Sequence, residues 1–398
     1  MQIADLKFLV AENDPFQRNW LVAALTQIGA QHILEVEDGE SALRVLSEPD
    51  CFIDISLIEI DLPGMDGMEL IRHISKVEKR HAVIVVSSLD QALLFSVETM
   101  SKAYGVELLG TIGKPVTPET LHEKIAGLEQ MTRVSRMYSS LPALTFDQLR
   151  AGIDADEFLP LFQPKIDLAT RRVVGVEAFA RWQHPKFGLL LPSRFIPVFE
   201  AAHSMSLLTA VIVAKSAAAC LEWRRQGFML TVSINISPSV LAIQDFAEQI
   251  IAYVSELDVP AACFIFEVTE ASTVTDGPHF LENLTRLRMH GFGVSVDDYG
   301  IGKSSLQQLL RIPFSELKID RSLVSGAAQN PTLELVLSSS LAICNKLDRQ
   351  SVAVGIETKH DWDFLVKLGC TFAQGFYIAK PMDAAALPVW IQEWMLFF

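Results

Sequence analysis

The segments CFIFEVTE (263–270) and GVSVDDYG (293–300) decide the fold of the longer part of this chain. Each is a short apolar run with period-two alternation that ends in acidic or hydroxyl residues, which is the pattern of a buried β-strand with polar groups at its carboxyl end. The stretch between them is long enough for a helix. Strands that alternate with helices predict a parallel sheet covered by helices.

The same pattern occurs eight times after Thr145. The other six runs are LPLFQPKID (159–167), VVGVEAFAR (173–181), TVSINIS (231–237), ELKID (316–320), SVAVGIE (351–357) and AQGFYI (373–378). Eight such strands predict a closed (β/α)8-type barrel, in which the reacting groups lie at the carboxyl ends of the strands.

Five earlier runs predict a separate α/β domain with a doubly wound, five-stranded sheet. They are KFLVAEND (7–14), ILEVED (33–38), ISLIEID (55–61), AVIVVSS (82–88) and ELLGTIGK (107–114). A length of 398 residues also favours two cores over one. We therefore expect an N-terminal domain over 1–129, a Ser-rich linker over 130–144 and the barrel over 145–398.

Composition limits the class of protein. The net charge of −15 argues against a nucleic-acid-binding surface, because phosphate backbones attract clustered Lys and Arg, so a phosphate ligand would need metal ions. The amino-terminal apolar run is too short for a signal peptide, and no span suggests a membrane helix. Five cysteines far apart in sequence argue against a disulfide framework. These features predict a cytoplasmic protein that binds neither nucleic acid nor membrane.

The N-terminal unit resembles the receiver domains of response regulators, on the motifs ENDP (12–15), EIDLPGMDG (59–67), VVSS (85–88) and GKP (113–115). The resemblance implies a pocket that binds magnesium and phosphorylates one aspartate. Glu12, Ser87 and Lys114 match roles in that pocket.

Three residues of this pocket depart from the receiver pattern. Glu59 occupies the phospho-acceptor position, Asn13 replaces a metal-binding acid, and Thr111 stands where an aromatic switch residue is usual. Hard divalent cations need anionic oxygen ligands, so we expect a receiver that is not phosphorylated. A simpler interpretation, compatible with the first, is that Glu59 pairs with Lys114.

The second unit resembles the EAL family of cyclic di-GMP phosphodiesterases from about Thr145 to the C-terminus. The motifs that carry the resemblance are FQP (162–164), VEAFAR (176–181), SINIS (233–237), FEVTE (266–270), VDDYG (296–300), LKIDR (317–321), VGIE (354–357) and AQGF (373–376). The resemblance implies Mg or Mn ions that bridge a phosphate and activate water, splitting cyclic di-GMP to linear pGpG.

The resemblance also assigns roles to individual residues. The first metal would be held by Glu177, Asn235, Glu267 and Asp297, and Asp298 would join Asp297 at a second metal. Lys318 would orient water or neutralise charge, and the ligand-binding residues would be Gln163, Arg181 and Gln374. Carboxylate and amide oxygens suit Mg and Mn. Taken alone, Glu177 could be a barrel carboxylate paired with Lys318, but the clustering of acids at strand ends favours a metal site.

The glycine-containing segment after Asp298 has two interpretations. It could be simple turn chemistry. We favour a mobile ligand-gating loop anchored by Glu270, as the resemblance implies, in which Ile301 and Lys303 replace the usual Thr and Tyr.

The seventh barrel strand lacks an expected acid. The family usually has Glu-Gly-Val-Glu there, with the first Glu at the second metal or acting as base, whereas this chain has Val354 at that position. Losing a general base typically costs about 10²–10⁴ in rate. The second metal site is therefore doubtful, and hydrolysis should be weak or absent.

Three functions remain open from the sequence. The first is a metal-dependent cyclic di-GMP receptor with weak or no hydrolysis, whose receiver docks another signalling protein or forms a homodimer. The second is an active phosphodiesterase that tolerates Val354. The third is a protein-interaction module that binds no nucleotide.

Overall fold

The computed structural model describes residues 3–48, 51–77, 81–89, 91–126, 142–274, 277–301 and 305–397. The chain forms two compact units, residues 1–141 and 142–398. Most of the predicted linker, residues 130–141, lies outside the described residues.

The first unit alternates strands and helices as its sequence predicts. Its elements are β1 (Lys7–Ala11), α1 (Pro15–Gln27), β2 (His32–Val36), α2 (Gly39–Ser47), β3 (Ile55–Ile58), α3 (Gly67–Ile74), β4 (Ala82–Ser87), α4 (Gln91–Ala103), β5 (Glu107–Gly113) and α5, whose described part covers 118–126. The sheet is parallel, in the order β2-β1-β3-β4-β5. Apolar cores cover both of its faces, which confirms the doubly wound fold.

Aspartates fix where three of these helices begin. The side chains of Asp14, Asp38 and Asp66 each accept a hydrogen bond from the backbone N–H three residues later, at the N-caps of α1, α2 and α3. Gly67 follows the last of them, and a Cβ there would lie 2.4 Å from the carbonyl oxygen of Glu59. The motif that ends in Gly67 therefore lets the backbone close tightly around the end of β3.

The second unit is a closed barrel. Its strands are β6 (Phe158–Asp167), β7 (Val173–His184), β8 (Gly188–Leu190), β9 (Thr231–Asn235), β10 (Phe264–Thr269), β11 (Gly293–Tyr299), β12 (Glu316–Ile319), β13 (Gln350–Val354) and β14 (Phe372–Gln374). The short β8 pairs only with β7, and the other eight strands close the barrel through β6, which pairs with both β7 and β14. The predicted closed barrel is confirmed.

Helices and helical turns connect and flank these strands. They are α6 (Phe146–Asp154), α7 (Pro192–Ala201), α8 (Met205–Arg225), α9 (Pro238–Leu241), α10 (Phe246–Ser255), α11 (Pro278–Met289), α12 (Leu306–Leu309), α13 (Arg321–Val324), α14 (Pro331–Lys346), α15 (Lys359–Leu368) and α16 (Ala386–Phe397).

One strand departs from the all-parallel arrangement of a regular (β/α)8 barrel. β6 runs antiparallel to both β7 and β14. Only the five residues 168–172 separate β6 from β7, which is too short for the helical crossover that a parallel pair needs. The sequence therefore contained the signal for a hairpin at this point.

Helix α8 corrects one expectation. It has 21 residues, and an 18-residue window within it has a mean hydropathy of 1.6, so it is long and apolar enough to cross a membrane by length and composition, whereas the sequence suggested no such span. Ten of its residues are buried, among them Leu208, Ile212 and Trp223. A helix that packs against the barrel also has this composition, which makes the feature weak evidence for a membrane span.

Candidate active site

Lys318 lies at the centre of the acidic cluster in the barrel mouth. Its Nζ is 2.9 Å from Glu177 Oε2, 2.5 Å from Glu267 Oε2 and 2.9 Å from Asp297 Oδ2. The four side chains come from β7, β10, β11 and β12, so the parallel strands on one side of the barrel bring together residues up to 141 positions apart. The side chain of Lys318 is only 2% exposed. The structure thus brings together the three carboxylates among the four predicted first-metal ligands.

Amide side chains hold Glu177 in place. Asn235 Nδ2 donates to Glu177 Oε1 at 2.9 Å, and Gln374 Nε2 donates to Glu177 Oε2 and to Gln163 Oε1, each at 2.9 Å. Gln163 Nε2 donates in turn to the carbonyl of Ala379. Gln163 and Gln374 are buried and orient Glu177.

Burial and mutual charge perturb the ionisation of this cluster. Burial and the neighbouring Glu177 raise the pKa of Glu267 well above its usual range. Burial also raises the pKa of Asp297. For Lys318 burial acts in the opposite direction, but the surrounding carboxylates outweigh it and raise the pKa well above normal. Lys318 therefore stays protonated, and the raised pKa values of Glu267 and Asp297 reflect more negative charge than one ammonium neutralises.

The donor set fits a hard divalent cation. One carboxylate oxygen from each of Glu177, Glu267 and Asp297 can be chosen so that all three lie within 4.8 Å of one another. Oxygen ligands of this kind suit Mg or Mn, and the single ammonium of Lys318 cannot neutralise three carboxylates. Asn235 stands at the exposed edge of this group, next to Glu177.

A β-bulge places the second acid of the Asp-Asp pair. The register between β11 and β12 shifts between Val296 and Tyr299, and Asp298 has a left-handed backbone with φ of 58°. Bulges break period-two alternation and redirect side chains. Burial raises the pKa of Asp298, and the charges of Asp297 and Asp320 raise it further. The ionisation of Asp298 therefore depends on the charge of the adjacent Asp297.

Asp320 is a residue whose role the sequence reasoning missed. It follows β12, and its carboxylate accepts a hydrogen bond from Ser322 N at 2.8 Å as the N-cap of α13. Its charge acts on Asp298. The alternation of Lys318 and Asp320 along one strand face was the signal that could have identified it.

Glu270 anchors the segment that follows β11. The side chain is 3% exposed, and its Oε2 accepts a hydrogen bond from Gly300 N at 2.9 Å. Ile301 is exposed, whereas Lys303 lies outside the described residues. The contact with Gly300 ties the end of β10 to the loop after the Asp-Asp pair.

Val354 occupies the carboxyl end of β13. In the sheet register Val352 pairs with Lys318 and Val354 pairs with Gln374. Ala353 belongs to the core cluster outside the barrel, so alternation turns Val352 and Val354 towards the interior. Val354 is half-buried and stands beside the strand whose Gln374 contacts Glu177. An apolar side chain thus stands on the interior face of the barrel mouth.

Glu357, the next acid after Val354, is engaged elsewhere. It forms an ion pair with Arg321 at 2.7 Å, and both side chains are exposed. It therefore does not replace a carboxylate at position 354.

Arg181 lies on the same strand as Glu177, four residues later. Its Nη1 donates to the carbonyl of Ala180 at 2.8 Å, and its guanidinium lies 5.6 Å from the ring centroid of Phe179. The side chain is half-buried. A guanidinium held in this way can present a two-donor fork to a phosphate.

The receiver pocket contains a second lysine between acids. Lys114 Nζ lies 2.7 Å from Glu12 Oε2 and forms an ion pair with Glu59. Burial opposes the charge of Lys114, but the hydrogen bonds that its ammonium donates to Glu12 and Glu59 outweigh burial and raise its pKa. The Glu59–Lys114 pairing considered from the sequence is therefore present.

The other residues of this pocket contribute less. Ser87 is buried at the end of β4, and Asn13 is exposed. Thr111 Oγ1 donates to Glu98 at 2.8 Å. Asn13 is therefore a neutral residue at the position where the receiver pattern has a metal-binding carboxylate.

Two family models match this chain. The EAL domain matches residues 147–381, and the response regulator receiver domain matches residues 8–126. The cyclic di-GMP phosphodiesterase RocR of Pseudomonas aeruginosa is 35% identical over 382 residues, which is 95% of this chain and 96% of RocR.

Solved structures with similar folds cover the barrel. The PaMucR phosphodiesterase in complex with c-di-GMP aligns with a TM-score of 0.57 and 30% identity, over 61% of this chain and 98% of that one. The FimX EAL domain of Pseudomonas aeruginosa bound to c-di-GMP aligns with a TM-score of 0.55 at 17% identity, over 59% and 95% of the two chains, which is a likeness of fold.

Proposed function

This chain belongs to the EAL domain family and carries an N-terminal response regulator receiver domain, and from that premise we propose that it is a metal-dependent cyclic di-GMP receptor with weak or no hydrolysis. The barrel would bind cyclic di-GMP through Mg or Mn. The receiver would serve as a docking or dimerisation module in the cytoplasm.

The observation that carries the proposal is the charge balance around Lys318. Three buried or half-buried carboxylates contact one ammonium, and Asp298 and Asp320 add further negative charge nearby. A ligand with two phosphates is repelled by such a site unless cations intervene. Glu177, Asn235, Glu267 and Asp297 would hold the first cation, and Asp298 with Asp297 a second.

Hydrolysis requires water to attack phosphorus while the ribose oxygen leaves. Two Mg or Mn ions held by Glu177, Asn235, Glu267, Asp297 and Asp298 would supply positive charge that stabilises this step. Arg181 would orient the phosphate, and Lys318 would hold the carboxylates in their positions. At position 354 no carboxylate is available to take the proton from water, because Val354 has no acid-base group. This absence supports the expectation of slow turnover.

Calorimetry with cyclic di-GMP tests the receptor proposal. We expect binding in the presence of Mn²⁺ and none after treatment with EDTA. Glu267→Gln, which retains the shape of the side chain but removes its charge, should weaken binding in Mn²⁺ by at least about tenfold. Equal affinity with and without metal would contradict the metal bridge.

Chromatography of the products separates this proposal from the alternatives. Binding with little pGpG formed supports a receptor, whereas rapid formation of pGpG would support the active phosphodiesterase that the likeness to RocR favours. No binding under any metal condition would support the interaction module.

A further inference from the structure

A cavity lies at the end of the barrel opposite the acidic cluster. It has a volume of about 720 Å³, and its walls come from the carboxyl end of α8, from α10 and from the residues that precede β10 and β11. The acids Glu267 and Asp297 stand towards the carboxyl ends of those same two strands. Because β10 and β11 are parallel, the cavity and the acidic cluster are at opposite ends of the barrel.

Two arginines, Arg224 and Arg225, line this cavity. Arg224 is half-buried, and in the described part of the chain it forms no ion pair with a carboxylate. Arg225 lies 3.7 Å from Glu222, which is a long contact between two exposed side chains and neutralises little charge. Both guanidinium groups therefore remain able to bind an anion.

Further positive charge lies beside the cavity. Arg288 is half-buried, and its Nη1 donates to the carbonyl oxygen of Phe292, which lines the cavity. Burial and the charge of the neighbouring Arg349 lower the pKa of Arg288. Among the described residues the lining contains one acid, Asp258, which is exposed and forms no ion pair with either lining arginine. This end of the barrel therefore has an excess of positive charge, although the whole chain carries −15.

The rest of the wall is mostly apolar. It includes Leu221, Ile251, Val254, Val259 and Phe292. Apolar walls with a few convergent polar groups are the usual composition of small-molecule sites, and the volume of this cavity is within their range. Arginine suits phosphate because its guanidinium presents a planar fork of donors to two oxygens. A phosphomonoester carries about two negative charges at neutral pH, which matches two arginines better than the single charge of a carboxylate does.

We propose that this cavity binds a small phosphomonoester whose organic part is aromatic or apolar. Arg224 and Arg225 would contact the phosphate, and the apolar wall would contact the organic part. A purine mononucleotide such as GMP has both parts. Binding here needs no metal, because the arginines already supply positive charge. The site is therefore independent of the function proposed for the acidic cluster.

A simpler interpretation is that the two arginines only offset the negative carboxyl end of the α8 dipole, since both lie in the last turn of this helix. Both interpretations predict that the loss of Arg224 lowers the stability of the fold slightly. They differ in ligand binding, because arginines that only offset a helix dipole give the cavity no affinity for a phosphomonoester.

Equilibrium dialysis of the full-length protein in EDTA tests the proposal. EDTA removes divalent cations, so the acidic cluster repels phosphate and does not contribute to binding. The probes are GMP, phenyl phosphate, guanosine and inorganic phosphate. We expect GMP and phenyl phosphate to bind at least about tenfold more tightly than the other two probes, which lack either the phosphate or the organic part. The proposal is wrong if neither GMP nor phenyl phosphate binds at millimolar concentration, or if guanosine or inorganic phosphate binds as tightly as GMP.

Two variants test whether the phosphate lies in this cavity. Arg224→Gln should lower the affinity for GMP at least about tenfold, because the side chain loses its charged donors. Met229→Glu should also lower the affinity at least about tenfold. Met229 lines the cavity and is 65% exposed, so a carboxylate there repels phosphate without disturbing the core.

The matched control is Arg286→Gln. Arg286 is paired with Glu282 and does not line the cavity, so this variant should bind GMP as tightly as the parent does. Thermal unfolding of each variant checks that it is folded. Unchanged affinity for GMP in folded Arg224→Gln, or an equal loss in Arg286→Gln, would overturn the proposed site.

Discussion

Lys114 in the first unit and Lys318 in the second each lie between carboxylates at the carboxyl ends of parallel strands. In the receiver, two carboxylates share one ammonium, and Asn13 adds no charge. In the barrel, three carboxylates contact the ammonium, and Asp298 and Asp320 add negative charge nearby. The receiver pocket is thus nearly balanced without a cation, whereas the barrel mouth retains an excess of negative charge.

The two lysine sites therefore lead to opposite expectations about metal binding. In the receiver, the carboxylate of Glu59 forms an ion pair with Lys114, so we expect this pocket to need no metal. In the barrel, Lys318 is surrounded and outnumbered, so a divalent cation lowers the electrostatic free energy of the folded state.

Removing the barrel lysine should have the largest effect. Lys318→Met leaves three carboxylates without their ammonium, and breaking a buried ion pair in this way typically costs about 3–5 kcal/mol of unfolding free energy. Urea unfolding without metal measures the loss. Because Mn²⁺ can replace the missing positive charge, the loss should shrink markedly in its presence. A loss of the same size with and without Mn²⁺ would show that the cluster is not a cation site.

Restoring an acid at position 354 should raise hydrolysis. If Val354 fills the place of an acid, Val354→Glu should increase pGpG formation in Mn²⁺ at least about tenfold. Val354→Gln introduces a side chain as long as that of glutamate but without its charge, and it should not increase pGpG formation.

Two further measurements test whether Val354→Glu acts by completing the metal site. Adding Glu177→Ala should remove the gained activity, since the phosphate would no longer be positioned. Stability should depend on Mn²⁺ more steeply than in the parent, because a lone buried carboxylate costs several kcal/mol unless a cation compensates it. If the parent already turns over rapidly and Val354→Glu changes nothing, position 354 does not have the role assigned to it.

Removing Lys114 from the receiver should lower the unfolding free energy less than removing Lys318 from the barrel. The loss should not depend on metal. The side chain of Lys114 is 15% exposed, so Lys114→Met should lower the unfolding free energy of the receiver by only about 1–2 kcal/mol. The pKa of Lys114 is raised above 10.5, so its contribution is complete below that pH and is lost only as pH rises through the higher folded value. The difference from the parent should therefore be equal at pH 7 and pH 9, and unchanged by Mn²⁺. Rescue by Mn²⁺ would show that the receiver pocket also binds cations.

Small phosphodonors should not phosphorylate the receiver domain. Intact-mass measurement of the parent after acetyl phosphate and Mg²⁺ should find no phosphoryl group, because Glu59 is paired with Lys114 and Asn13 brings no charge to a metal. The double variant Asn13→Asp, Glu59→Asp is the matched positive control and should acquire one. A labile phosphoryl group on the parent would contradict the proposal of an unphosphorylated receiver.

Much of the fold was predictable because alternation and strand-end polarity are local patterns. Both units follow from thirteen apolar runs, and most of the β-strands begin and end near the predicted residues, although β8 was not predicted and β14 ends at Gln374, before the end of its predicted run. The antiparallel direction of β6 was not predicted, although the short connection over 168–172 indicated it. The membrane-like composition of α8 was also overlooked, because a helix buried against a barrel and a helix in lipid meet the same apolar requirement.

The residue types at the ends of the strands, including Val354 where the family pattern has an acid, can be read from the amino-acid sequence. Which charges come into contact depends on the folded barrel. The bulge at Asp298 and the network of Gln374 and Glu177 arise from pairing between strands far apart in the chain. The physical reason is that residue spacing fixes the face of an element, whereas Coulomb energies and pKa values depend on distances that only the closed barrel sets.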